Sequence, residues 1–245
     1  MGSGQPPPGA TEADLGDWLR DAPVRKLERM PWGSNAVFRV LIDGPFGELV
    51  AVYKPARGER PLWDFPPGTL HRREVATSVV DRALGWHFTP TTVLRRDAPF
   101  GAGSIQEFIP DPPRELELNS DRVESDLRGL AALDVLINNA DRKQAHLLVD
   151  PEGGLRGIDH GVTFHTDFKL RTALLELGGT AVPQIWLDPI AHLLADPGRL
   201  GTLRQSLRAL LAPAEIRAFL DRAKALLDQG CYPELHQWHG RPYEW

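Results

Sequence analysis

The sequence predicts an α+β chain of two lobes, with strands gathered in front and helices behind. Two apolar runs, Val37 to Ile42 and Leu49 to Lys54, flank an Asp43-Gly44-Pro45-Phe46-Gly47 turn and read as a hairpin. A Pro-rich break, Pro110-Asp111-Pro112-Pro113, stops the strand pattern. Beyond it helical periodicity dominates, most plainly at Ile216, Phe219, Leu220, Ala223 and Leu227 before Gly230. These signals divide the chain into an expected flexible tail over residues 1–23, a strand-rich lobe over 24–110 and a helical lobe over 111–245.

Taken in order, residues 1–13 are rich in Gly, Pro and Ser without apolar periodicity, so a mobile tail is expected there. Centring the first hairpin on Pro45 sets Lys54 opposite Ala36, beside the turn Trp32-Gly33-Ser34-Asn35. Thr69 to Leu84 reads as a helix with an apolar stripe of Leu70, Val75, Val79, Val80 and Leu84, stopped by Gly85. Short strands follow at Thr91 to Leu94 and Ser104 to Ile109. After the break, Ser120 to Asn138 is a helix. His146 to Asp150 and Leu155 to Asp159 then form a second hairpin around Pro151-Glu152-Gly153-Gly154. Helices are expected at Pro189 to Leu194, Leu200 to Leu211 and Pro213 to Asp228, and the aromatic tail Trp238 to Trp245 is expected to pack on the surface.

Composition narrows the function. With 245 residues, 42% hydrophobic and 25% charged, the chain is ordinary globular material rather than disordered or disulfide-stapled. The single cysteine, Cys231, cannot form an internal disulfide, which suits a reducing compartment. A formal net charge of -5 argues against broad nucleic-acid binding. No apolar run reaches the roughly 18 residues of a membrane span, and Met1 to Leu15 lacks the basic and apolar regions of a signal peptide. A cytoplasmic protein without a transmembrane segment is therefore expected. Only five of the 28 basic residues are Lys, which draws attention to each.

The most informative stretch is Asp134 to Phe164, DVLINNADRKQAHLLVDPEGGLRGIDHGVTF. Centring its hairpin between Glu152 and Gly153 makes His146 and Asp159 cross-strand neighbours, roughly 5 Å apart at Cα. Asp141 lies in the loop entering the first of these strands. Singly, each residue has an ordinary role as a turn cap or a solvated ion pair. Together, with Asn138, Asn139, Arg142 and Lys143 beside them, they point to a site that binds a cation or handles a proton. Lys54 beside a Gly turn is a way to hold phosphate oxygens, although a plain β-turn fits the same residues. Glu74, on the following helix, reads either as the partner that aims Lys54 or as a solvated helical Glu.

The order of these features, a turn, a strand Lys, a helix Glu, a linker strand, a DRxxxH loop, a hairpin and IDxG, resembles the kinase-like superfamily. It is most similar to the phosphatidylinositol 3-/4-kinase branch. The segments LWDFPPGTLHRREVA, NNADRK..H and GIDHGVTF look like a group of small actinobacterial proteins of that type, over about residues 25–230. The resemblance implies a two-lobed protein-kinase-like fold with a reduced helical lobe, and an ATP- and divalent-metal-dependent kinase using Mg²⁺ or Mn²⁺ on an acceptor hydroxyl of a protein, small molecule or lipid.

By that resemblance, Gly33, Ser34 and Asn35 cover the ATP phosphates, Lys54 contacts the α and β phosphates, and Glu74 orients Lys54. Gln106, Glu107, Phe108 and Ile109 form the hinge that meets adenine through backbone groups. Asp141 takes or orients the acceptor proton, and Lys143 lies near the γ-phosphate. Asp159 is the metal-binding Asp, and His146 stands where the phosphoinositide kinases carry a metal-binding Asn. This last position departs from the pattern, because Mg²⁺ prefers oxygen whereas imidazole suits Mn²⁺ and later metals. Gln144 and Ala145 in the loop, and His160 in place of Phe, depart too. A nucleotide-binding pseudokinase or scaffolding module, and an AMP transferase, are the alternatives. Residues 162–182 correspond to the activation loop, whose His165, Lys169 and Arg171 form a thin basic cluster expected to be solvated.

Overall fold

A computed structural model describes residues 11–31, 35–44, 47–113 and 119–235. Gly33, Ser34 and the tail from Trp238 to Trp245 lie outside the described residues.

Part of the stretch expected to be a tail is a helix. In α1 (Glu12–Asp21) the Thr11 hydroxyl accepts the Asp14 N–H, and the Asp14 carboxylate accepts the Thr11 N–H, a reciprocal capping box. Leu15 and Leu19 are buried against the sheet, with Trp18 and Ala22 packed beside them. The helical spacing of these four apolar residues outweighs the Gly/Pro-rich composition before them.

The sheet has β1 (Val24–Arg29), β2 (Phe38–Gly44), β3 (Gly47–Pro55), β4 (Thr92–Arg95) and β5 (Gly103–Glu107), in the antiparallel order β1-β2-β3-β5-β4. Phe38, Val40, Ile42, Leu49, Ala51, Tyr53 and Ile105 join Leu15 and Leu19 in one core. Strand alternation sends Val52, Lys54, Ser104 and Gln106 to the other face, with Lys54 opposite Ser104 and Val52 opposite Gln106. The first hairpin closes with Gly44 opposite Gly47 and Phe38 opposite Tyr53. That register differs by one residue from the expected one, because the Gly44–Gly47 pair closes the ladder half a step away from the centre assumed at Pro45. Asn35 and Ala36 instead meet the 3-10 turn after β3: the Arg60 N–H donates to Asn35 Oδ1 at 2.7 Å, and the Ala36 N–H to Gly58 O at 2.9 Å.

The helical part is as the periodicity predicts, with shifted ends. Helix α2 (Leu70–Leu84) stops at Gly85, whose φ of 73° is the left-handed C-cap conformation. Helix α3 (Ser120–Ile137) is capped by Asn119 and ended by Asn138. The second hairpin pairs β6 (Leu147–Val149) with β7 (Leu155–Gly157). Leu147 faces Gly157, again one residue from expectation, and His146 precedes the strand in a 3-10 turn.

Helix α4 (Gln184–Ala195) starts before Pro189, and Ile185, whose carbonyl a Pro at 189 leaves without its helical donor, is exposed. Helix α5 (Pro197–Arg208) starts early because Asp196 caps it ahead of an N-terminal Pro. Helix α6 (Pro213–Gln229) buries Ile216, Phe219, Leu220, Ala223 and Leu226. These helices share one core, built on Leu130, Leu133 and Ile137 of α3. No helix among the described residues is long and apolar enough to cross a membrane.

Candidate active site

Lys54 leaves β3 on the face turned away from α1, and its side chain is mostly buried. Its ammonium donates to Glu74 Oε1 of α2 and, at 3.1 Å, to Asp159 Oδ1. Glu74 is buried, and its second oxygen accepts the His160 N–H at 2.9 Å. One carboxylate thus ties a strand, a helix and the loop after β7. Burial works against the charge on Lys54, but Asp159 and Glu74 outweigh it and hold its proton affinity above the ordinary lysine value.

Asp159 has a φ of 63°, a left-handed conformation that Asp adopts more readily than bulkier residues. Its side chain is half exposed, with Oδ2 3.4 Å from His146 Nε2. The Lys54 ammonium pulls the Asp159 pKa well below the usual carboxylate range. The Lys143 N–H points at His146 Nδ1, 3.4 Å away. An Nδ1 that accepts leaves the proton of a neutral imidazole on Nε2, so the tautomer favoured by this geometry presents a donor, not a lone pair, to Asp159. Burial keeps His146 below its ordinary pKa and therefore neutral.

The loop carrying Asp141 is fixed from beneath. Asn138, with a φ of 54°, ends α3 and sends its amide to the His165 and Asp167 carbonyls at 3.0 and 2.7 Å. Asn139 donates to Asp134 at 2.9 Å and accepts the Asp141 N–H at 3.0 Å. Arg142 is fully buried and grips Asp134 through two bonds of 2.8 and 2.9 Å, an arrangement its planar fork allows. It also donates to Ile158 O at 2.9 Å and meets His160 Nε2 at 2.6 Å. Burial, then Arg142, push the His160 pKa far down, so this ring is neutral and its Nε2 accepts.

Above this base Asp141 Oδ2 pairs with Lys143 Nζ at 3.1 Å, while Asp141 Oδ1 is buried without a protein partner. Burial raises the Asp141 pKa, Lys143 opposes it and the nearby Asp159 charge adds to it. Lys54, Glu74, Asp141, Lys143, His146 and Asp159 thus converge on one place.

The remaining expected residues are less tightly gathered. Gln106 lies on the Lys54 face of the sheet but donates to Thr92 Oγ1 at 2.9 Å. The Glu107 N–H is taken by Thr91 O at 2.8 Å, which leaves it no bond for a base. Phe108 lies beneath the Arg39 guanidinium, 5.3 Å from the ring centre, and Ile109 continues the connection to the helical part. Asn35 is bonded to Arg60, not to Lys54.

The basic cluster at 165–171 is not a solvated loop. Lys169 is mostly buried, bonded to Asp64 at 2.5 Å, with its ammonium 4.8 Å from the centre of the exposed Trp63 ring. Arg171 is held through its backbone by Asn139 O and the Arg142 N–H. Sequence reasoning passed over the Asp134–Arg142–His160 network. Its only signal was an Asp and an Arg eight positions apart across a helix end.

Among the described residues no group of three or more His, Cys, Asp and Glu forms a ready-made metal cage. A cation held jointly by protein and phosphates needs only one or two carboxylates. Half-exposed Asp159 supplies such an oxygen, so the residues present fit Mg²⁺ or Mn²⁺ bound together with a nucleotide.

No protein-family model matches the sequence. Protein Rv2133c of Mycobacterium tuberculosis is 36% identical over 253 residues, covering 88% of this chain and 89% of that protein. Hydra Fam20, solved with sugar, superposes with a TM-score of 0.63 at 15% identity, covering 88% of this chain and 86% of that one. The Golgi casein kinase with Mn/ADP bound superposes with a TM-score of 0.59 at 17% identity, covering 94% and 77% respectively. At such identities the two structures establish the fold, a kinase-like α+β architecture with an antiparallel sheet ahead of a helical region. The chain belongs to the family of the mycobacterial protein Rv2133c, on a kinase-like fold.

Proposed function

We propose that this chain is a phosphotransferase that moves the γ-phosphoryl group of ATP to a hydroxyl acceptor, with Mg²⁺ or Mn²⁺ bound alongside the nucleotide. The observation that carries the reading is Asp141 Oδ1, a buried, unpartnered carboxylate oxygen beside Lys143 and close to the Lys54–Asp159 pair. Lys54, aimed by Glu74, meets the α- and β-phosphate oxygens. Asp159 is the carboxylate for the cation, and His146, as an Nε2–H donor, orients it. When bound, the cation neutralises charge on the phosphate oxygens. Asp141 Oδ1 accepts the proton of the acceptor hydroxyl as its oxygen bonds to the γ-phosphorus. The bond from that phosphorus to the bridging oxygen breaks, and its electron pair leaves with ADP. Lys143 offsets the charge on the transferred group.

The motif resemblance supports the phosphatidylinositol 3-/4-kinase branch as the finer placement. The Golgi casein kinase structure with Mn/ADP supports nucleotide and metal as the cofactor pair. The single cysteine and acidic balance support a cytoplasmic setting. A second reading, a nucleotide-binding module without transfer, is favoured by one observation: Lys143 already occupies Asp141 Oδ2.

The test is calorimetric titration of ATP with Mg²⁺ and with Mn²⁺ into wild type and Asp159→Ala. Metal-dependent binding that weakens at least about tenfold in the variant is expected. Equal binding by both proteins, or none with either metal, overturns the placement of the nucleotide.

A further inference from the structure

Glu74 has a neighbour on α2 that the chemistry above does not use. Arg73 is 1% exposed, and its guanidinium reaches three other elements. One nitrogen donates to Thr163 O at 2.6 Å, and a second pairs with Glu215 Oε1 of α6 at 2.5 Å. The guanidinium carbon stands 4.9 Å from the centre of the Phe65 ring. Thr163 in turn donates its hydroxyl to His160 O at 2.8 Å.

Consecutive helical residues point about 100° apart. Glu74 and Arg73 therefore grip the 160–163 turn at two points, through the His160 N–H and the Thr163 carbonyl. Glu215 holds Arg73 with one oxygen and caps α6 with the other, which accepts the Ala212 N–H at 2.8 Å. A helix residue 142 positions further along the chain thus determines where the Arg73 fork sits, and the fork sets the rotation of α2.

We infer that Glu215, acting through Arg73, is a positioning residue that holds Glu74 against Lys54 and the Asp159 loop, so that α6 itself locks the catalytic arrangement of α2. The structural part of this stands on the contacts alone. Its consequence for turnover rests on the phosphotransferase reading.

The His160 amide reports the position of Glu74 directly and needs no nucleotide. Its hydrogen exchange, followed by NMR, is compared in wild type, Glu215→Gln and Asp196→Ala. Glu215→Gln keeps an oxygen for the α6 cap and removes the charge that holds Arg73. Asp196→Ala removes the α5 cap, a loss of comparable worth that leaves Arg73 untouched. Exchange at His160 is expected to quicken about tenfold in Glu215→Gln and to stay near wild type in Asp196→Ala. Unchanged exchange in Glu215→Gln, or equal quickening in both variants, overturns the inference.

If Glu215→Gln does not fold, Arg73→Lys serves. Its point charge keeps the Glu215 partner but not the bond to Thr163, so quickened exchange is again expected and unchanged exchange again overturns the inference. In the same preparations kcat for ADP formation is expected to fall about tenfold with ATP affinity preserved. Absence of turnover in wild type counts against the phosphotransferase reading alone, because the exchange result still decides the positioning role.

Discussion

At Asp141 two effects compete. Burial favours the neutral acid, and the Lys143 ammonium 3.1 Å away favours the carboxylate; burial prevails and the pKa lies above its ordinary value. In the proposed role of general base Asp141 works only when ionised, so the rate is expected to rise as pH climbs through that raised value. Lys143→Ala removes the opposing cation and pushes the Asp141 pKa further up. The acidic limb of the pH–rate profile is therefore expected to move to higher pH in Lys143→Ala, in addition to any loss in the plateau rate. A limb that stays in place would show that Lys143 does not act on the base.

Residue types at the site were legible because their chemistry is unusual in combination: few lysines, one of them strand-borne beside a turn, and Asp141, His146 and Asp159 flanking a hairpin. The direction of the His146 proton was not, since it depends on where the Lys143 N–H points. Arg142 was read only as a companion of Asp141. Its burial on Asp134 and His160 follows from the turn that Asn138 makes after α3, which spacing alone does not specify.

At the scale of elements, periodicity placed helices and strands well where the apolar stripe was long, as in α2, α3 and α6. Registers slipped by one residue in both hairpins. A pairing inferred by centring a turn assumes that the loop is symmetrical, whereas the ladder closes wherever twist and side-chain facing allow. One missed element is α1, read as tail because Gly and Pro dominate the residues before it. Its capping box and the Leu15, Trp18, Leu19 and Ala22 spacing were visible.

Leu19 tests that correction. It is fully buried under the sheet, and Leu19→Ala is expected to cost about 3 kcal/mol in urea unfolding, the usual cost of emptying a core leucine site. A change within about 0.5 kcal/mol is what an unpacked tail predicts instead.

For the whole molecule, the α+β architecture was legible because strands, break and helices each left a strong local pattern, and its kinase-like character came from the resemblance of the motifs. Contacts that hold the site together were not, since they join positions far apart in sequence. Lys54 to Asp159, Glu74 to His160, Arg73 to Glu215 and Asp64 to Lys169 all link segments more than fifty residues apart. The first two pin β3 and α2 against the loop carrying Asp159. The site is thus assembled by tertiary contacts among residues of otherwise ordinary local character.

Phosphoryl transfer separates an active enzyme from a nucleotide-binding module, and release of ADP from ATP measures it. Purified wild type and Asp141→Asn are incubated with ATP and Mg²⁺ or Mn²⁺, with candidate hydroxyl acceptors present. The account predicts metal-dependent ADP formation that falls roughly 10²–10⁴-fold in Asp141→Asn, the usual worth of a positioned general base. Pyrophosphate released in place of ADP, or nucleotide bound with no product at all, would contradict it.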